Sequence, residues 1–144
     1  MIKNERQYRI TRAQVTRFEN AIVELASRQT ATTSILDRAQ VDALRSQLAD
    51  LQNELVEYEA LKSGKVTTFV ADSFDALPSA LIRARIATGM SQKDLAAKLG
   101  VKEQQVQKYE ATDYASASFD RLRSIIRVLG VQVREEISII GRHA

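Results

Sequence analysis

The strongest constraint in this sequence is the stretch from Gly89 to Glu110, where capping chemistry, an apolar stripe and a glycine follow in one order. Ser91 is an N-cap residue. Asp94, three positions on, completes a capping box in which each side chain accepts a hydrogen bond from the other residue's backbone N–H. Leu95, Ala96 and Leu99 then take the spacing of one buried helical stripe. Gly100 follows at once, where a helix C-terminus favours a left-handed residue and glycine meets no Cβ clash. A second helix begins near Lys102. Its period buries Val106 and Tyr109 and turns Glu103, Gln104, Gln107 and Lys108 outward. The stretch predicts two short helices across a tight turn, the second with an amide-rich outer face.

The flanking sequence predicts the helices on which such a pair packs. Asp75 is placed to cap a helix over 76–88, with Pro78 tolerated in its first turn and Leu81, Ile82 and Ile86 facing inward. Residues 111–117 have loop composition. Ser118 then caps a helix over 119–129, whose stripe is Leu122, Ile125, Ile126 and Leu129. Two helices across a glycine turn, the second outward-facing and polar, form the layout of a helix-turn-helix, whose second helix enters a DNA major groove.

Residues 78–130 resemble the Cro/C1-type (XRE) helix-turn-helix family. The likeness rests on Ser91-Gln92, Leu95-Ala96, Leu99-Gly100-Val101, Val106-Gln107-Lys108-Tyr109-Glu110, Ser118-Phe119 and Val128-Leu129-Gly130-Val131. It implies a dimeric DNA-binding repressor on a palindromic operator. Gln92, with Lys93 beside it, then sits at a helix N-terminus near the DNA backbone, where amide and backbone N–H groups donate to phosphate. Gln104 takes a base-reading position, and a glutamine amide suits adenine N6 and N7. Gln107 and Lys108 reach a further base or a phosphate, and Lys102 a phosphate. Glu103 is a departure: it can accept from cytosine N4, yet phosphates repel it. Loop 111–117 is another, with Asp113 and no Lys or Arg. Arg85 and Glu110 align with a family pair that bridges the first and third helices as a structural salt bridge. The fold alone does not fix the function, so a scaffold that binds only proteins is the alternative.

The front half predicts a helical hairpin. Met1 to Arg9 reads as a loose polar arm. Thr11 is placed to cap a helix over 11–28, with Val15, Phe18, Ile22 and Leu25 as its seam. Ser27 to Ser34 has loop composition. A longer helix over 36–62 carries Val41, Leu44, Leu48, Leu51, Leu55 and Tyr58, a coiled-coil heptad pattern. The two seams predict antiparallel packing, shared within the chain, with a second copy or with another protein. Lys65 to Val70 and Val131 to Ile139 read as two short strands, which must pair with each other or across a dimer. Gly141 to Ala144 is expected to be disordered. The order hairpin, linker, helix-turn-helix also resembles HigA-type antitoxins, with Asn4-Glu5-Arg6-Gln7-Tyr8 and Tyr58-Glu59 as the matching residues. That likeness implies a bacterial toxin–antitoxin system, with a toxin as a further partner of the front half.

Composition narrows the chemistry. Residues 1–77 hold 10 Lys/Arg against 11 Asp/Glu, and residues 78–144 hold 11 against 7, so positive charge lies with the helix-turn-helix. There is no cysteine and a single histidine, His143, so no thiolate metal site, zinc site or histidine-based triad is expected. The glycines stand singly, without a nucleotide-binding loop. No apolar run is long enough for a membrane span, and the charged first twelve residues lack a signal-peptide core. The sequence thus predicts a cytoplasmic, mainly α protein without cofactor or enzymatic activity. Its hairpin spans 1–64, and a four- to five-helix Cro/C1-type domain with two short strands spans 65–144.

Overall fold

The computed structural model describes residues 1–28 and 35–141. Among them the chain forms six α-helices: α1 (Glu5–Ser27), α2 (Ile35–Lys62), α3 (Leu77–Ala87), α4 (Gln92–Leu99), α5 (Glu103–Ala111) and α6 (Phe119–Leu129). A short 3-10 turn, Phe74–Ala76, leads into α3. His143, most of the expected loop at Ser27 to Ser34 and the last three residues lie outside the described residues.

The first helix begins earlier than its apolar pattern predicts. Asn4, not Thr11, is the cap: its side-chain oxygen accepts from the Gln7 backbone N–H at 2.8 Å. Thr11 is buried in mid-helix. The expected loose arm is therefore helical from Glu5 onward, and Ile2 ahead of it is only 3% exposed. The first turns lack an apolar stripe, so periodicity could not find them. A cap and an anchored apolar residue hold them instead.

α1 and α2 pack antiparallel. Glu5 meets Tyr58 and Lys62, whereas Glu19, farther along α1, reaches back to Gln52. Val15 and Val41 are buried, but Phe18, Ile22, Leu25, Leu44, Leu48 and Leu51 are only half-buried. Two helices cover just one side of each seam, and among the described residues nothing else covers the rest.

The base of this hairpin joins the core of α3–α6. Ile2, Tyr58 and Leu61 form one apolar cluster with Leu81, Ile82, Leu95, Val106 and Ile125. Arg83 of α3 donates to Glu57 of α2 at 2.8 Å across the same junction.

The two expected strands do not form. A strand exists through its ladder of hydrogen bonds, and among the described residues none joins 66–70 to 131–139. Residues 66–69 and 131–134 instead border one cleft of about 630 Å³. Beyond it residues 135–140 form no regular secondary structure, with Ile137 92% and Ile140 91% exposed. Asp75 is also not the cap of α3: it lies inside the 3-10 turn, and α3 starts after Ala76 without a side-chain cap.

Candidate nucleic-acid interface

α4 is fixed at both ends by local chemistry. The Ser91 hydroxyl accepts from the Asp94 N–H, and the Asp94 carboxylate accepts from the Ser91 N–H, each at 3.0 Å. The Ser91 N–H, and then its hydroxyl, hold the Asp94 carboxyl below the usual range. At the other end Gly100 takes φ 70°, and the Val101 N–H closes onto the Ala96 carbonyl at 3.0 Å. That left-handed residue turns the chain into α5.

α5 is held from within by Val106, which is fully buried, and by Tyr109. Its outer side chains Glu103, Gln104, Gln107 and Lys108 are exposed, as are Lys93 and Lys102. Gln107 leans on Glu103 at 3.4 Å, one turn away. One polar helical face of α5 is thus exposed among the described residues.

Beneath it lies a buried polar network. Arg85 donates to both Glu110 carboxylate oxygens, from Nε at 2.6 Å and from Nη2 at 2.8 Å. Its Nη1 donates to the Met90 carbonyl at 2.8 Å, and Nη2 also to the Lys3 carbonyl at 2.6 Å. Glu110 is fully buried and Arg85 nearly so. A fork-on-carboxylate pair of this kind ties α3 to α5 and sets the angle at which α5 projects.

Gln92 belongs to this network, which corrects its expected place beside the DNA backbone. It is 4% exposed, its amide N–H donates to Glu110 at 3.0 Å, and its oxygen accepts from Asn4 at 3.0 Å. The side chain is turned inward because the buried carboxylate of Glu110 takes one end and the front of α1 takes the other. Of the residues predicted for the site, Lys93, Lys102, Glu103, Gln104, Gln107 and Lys108 share the outer surface, whereas Gln92, Arg85 and Glu110 lie beneath it.

Periodicity missed the contribution of the N-terminus. Lys3 donates to the Glu110 carbonyl at 2.7 Å, at the end of α5. Met1, residues 3–7 and Ile10 line a cleft of about 630 Å³ with Ser91, Gln92, Glu103, Gln107 and Ala111. The signal was the pattern Asn4-x-x-Gln7, a cap before a charged first turn. The loop after α5 was also unforeseen in its geometry. Asp113 and Tyr114 take φ 49° and 59°, a costly conformation for tyrosine. Burial of the Tyr114 ring against Tyr109, with centroids 6.2 Å apart, offsets that cost.

Four helices in this order, a glycine turn after the second and a free polar face on the third match one family model, that of the helix-turn-helix, over residues 81–135. Residues 81–135 match the Cro/C1-type helix-turn-helix family. The match supports a DNA-binding transcriptional regulator. No curated protein and no solved structure matches the chain. In the helix-turn-helix domain α4 and α5 are the motif helices, and α3 and α6 close its core. No described helix is long and apolar enough to cross a membrane, and the described residues hold no acidic, histidine or cysteine cluster fit for a metal ion.

Proposed function

We propose that this chain is a sequence-specific repressor that binds an inverted-repeat operator as a dimer and has no enzymatic activity. The observation that carries the reading is the outer face of α5: Gln104, Gln107 and Lys108 are exposed while Val106 and Tyr109 anchor the helix. Gln104 reads a base, Glu103 and Gln107 sit beside it, and Lys93, Lys102 and Lys108 hold phosphates. Dimerisation is supported by the half-buried seams of the hairpin and by the exposed apolar tail at Ile137, Ile139 and Ile140. Two half-sites compensate for the modest charge of one domain.

A gel-shift titration with DNA from upstream of the gene tests this, with the mass of the complex giving the protein stoichiometry. No sequence-preferring shift at low salt would end the DNA reading. Gln104→Ala is expected to weaken specific binding by about 1–3 kcal/mol with little effect on random DNA. Equal losses on both would contradict its base-reading role.

The same chain fits the antitoxin of a type II operon. The far end of the hairpin exposes Val23, Ile35 and Leu36, an apolar surface suited to a toxin. A small basic toxin encoded beside it, neutralised on co-expression, is the expected result. An adjacent gene that is harmless when expressed alone would remove this role. The protein-binding scaffold is the second reading, favoured by the front of α1 covering Gln92 and Arg85. The gel shift separates the two.

A further inference from the structure

The outer face of α5 is poorly supplied with positive charge. Glu103 opens it, and the following turn at 112–117 carries Asp113 and no Lys or Arg. Duplex affinity comes largely from neutralised phosphates, so the charge has to come from another part of the fold. The tertiary structure brings it from the other end of the chain. Residues 1–17 hold five Lys/Arg (Lys3, Arg6, Arg9, Arg12, Arg17) and one acid, Glu5, whereas residues 18–77 hold five basic and ten acidic residues. The basic start of α1 is docked beside α5, and the acids Glu54, Glu57 and Glu59 at the same end of the hairpin are already taken up by the Met1 amino group, Arg83 and Tyr8.

We infer that the first turns of α1 are a second duplex-binding element, in which Arg6, with Arg17 on the same helical face, neutralises phosphates flanking the groove entered by α5. This rests on the DNA-binding reading above. Three observations carry it. Arg6 and Ile10 line one cleft with Ser91, Glu103 and Gln107, so Arg6 stands across a cleft from the outer face of α5. Arg6 and Arg17 are exposed, and neither makes a hydrogen bond or ion pair among the described residues. Eleven residues separate them, close to three helical turns, so they share a face roughly 16 Å apart, or about five base pairs of duplex.

The backbone that carries Arg6 is also held in place. The backbone just before it is fastened to the domain by Arg85 on the Lys3 carbonyl at 2.6 Å, Lys3 on the Glu110 carbonyl at 2.7 Å and Asn4 on Gln92 at 3.0 Å. A basic group preset beside the reading helix loses little freedom on binding. It also lies near Glu103, whose repulsion of phosphate it offsets.

The test measures the affinity of the full chain for operator and random duplex across a salt series, for wild type, R6Q, R6Q/R17Q and the control R45Q on the exposed outer side of α2. Each phosphate contact contributes about 0.9 to the slope of log affinity against log salt, so R6Q lowers the slope by about 0.9 and the double variant by about 1.8. Operator and random DNA lose affinity alike, and R45Q changes neither. These arginines are unpartnered, so thermal unfolding of the variants should match wild type and separates lost contacts from lost fold. A wild-type shift with unchanged slopes in R6Q/R17Q overturns the inference and leaves the DNA reading intact. Tighter binding by the variants overturns it too, because α1 would then obstruct the duplex. No shift by wild type ends both.

Discussion

Replacing Glu110 with Ala is expected to destabilise the chain by about 3–5 kcal/mol in urea unfolding, among the largest single losses it can suffer. The cause is what remains after the change. Arg85 keeps its charge, is 2% exposed, and loses both charge-assisted contacts at 2.6 and 2.8 Å. Its other two bonds go to the carbonyls of Met90 and Lys3, which supply no counter-charge. Gln92 loses its acceptor as well. Glu110→Gln keeps the shape and acceptor oxygen but not the charge, and should fall between wild type and Glu110→Ala. Replacing both Arg85 and Glu110 with apolar residues of similar size should recover much of the loss, because no buried charge is then stranded. A loss below about 1 kcal/mol for Glu110→Ala would mean that water reaches Arg85 and that the pair is not a buried one.

Tyr58→Ala is expected to cost about 3–5 kcal/mol, the range for deleting a buried aromatic ring. Tyr58 is 5% exposed and lies in the apolar cluster where the hairpin meets the helix-turn-helix domain. Its ring is 5.2 Å from that of Tyr8, and its hydroxyl donates to Glu5 at 2.9 Å. Loss of the ring therefore loosens both the hairpin and its attachment. Proteolysis should then cut the hairpin well before the helix-turn-helix domain. Equal rates in both halves would show that the junction does not depend on this residue.

The milder Tyr58→Phe isolates the hydroxyl. That hydroxyl first, and Lys62 after it, hold the Glu5 carboxyl below its usual range. A depressed carboxylate stabilises the fold above its unfolded pKa, and that stability is lost as pH falls through the folded value. Tyr58→Phe should therefore lower stability at neutral pH by more than it does in acid. An unchanged difference between pH 7 and pH 3 would rule the hydroxyl out as the cause of the lowered Glu5 carboxyl.

Much of the helix-turn-helix domain was legible because its signals are local. Ser91 with Asp94, Gly100, Ser118 and Gly130 each act on backbone groups within a few residues, and each takes that role in the fold. Leu95, Val106, Ile125 and Leu129, drawn from the apolar stripes of α4, α5 and α6, are buried because a helical period fixes which side chains of each helix share a face. The strands failed for the opposite reason. Residues 66–70 and 131–139 have the composition of strands, but a ladder needs a partner at the right distance, and the fold leaves a cleft there. Composition decides whether a segment can extend and cannot decide what it pairs with.

The sequence by itself determined which segments are helical, the ends of α4, α5 and α6 and the outward face of α5, since these follow from capping and period within single elements. The tertiary structure alone decided that Gln92 points inward, that Ile2 is core, and that the arginine-rich start of α1 lies beside α5. Those outcomes depend on contacts between residues some 80 to 110 positions apart, as in Asn4 with Gln92 and Lys3 with Glu110. Such contacts are set by how whole helices pack, and no local pattern in the chain encodes them.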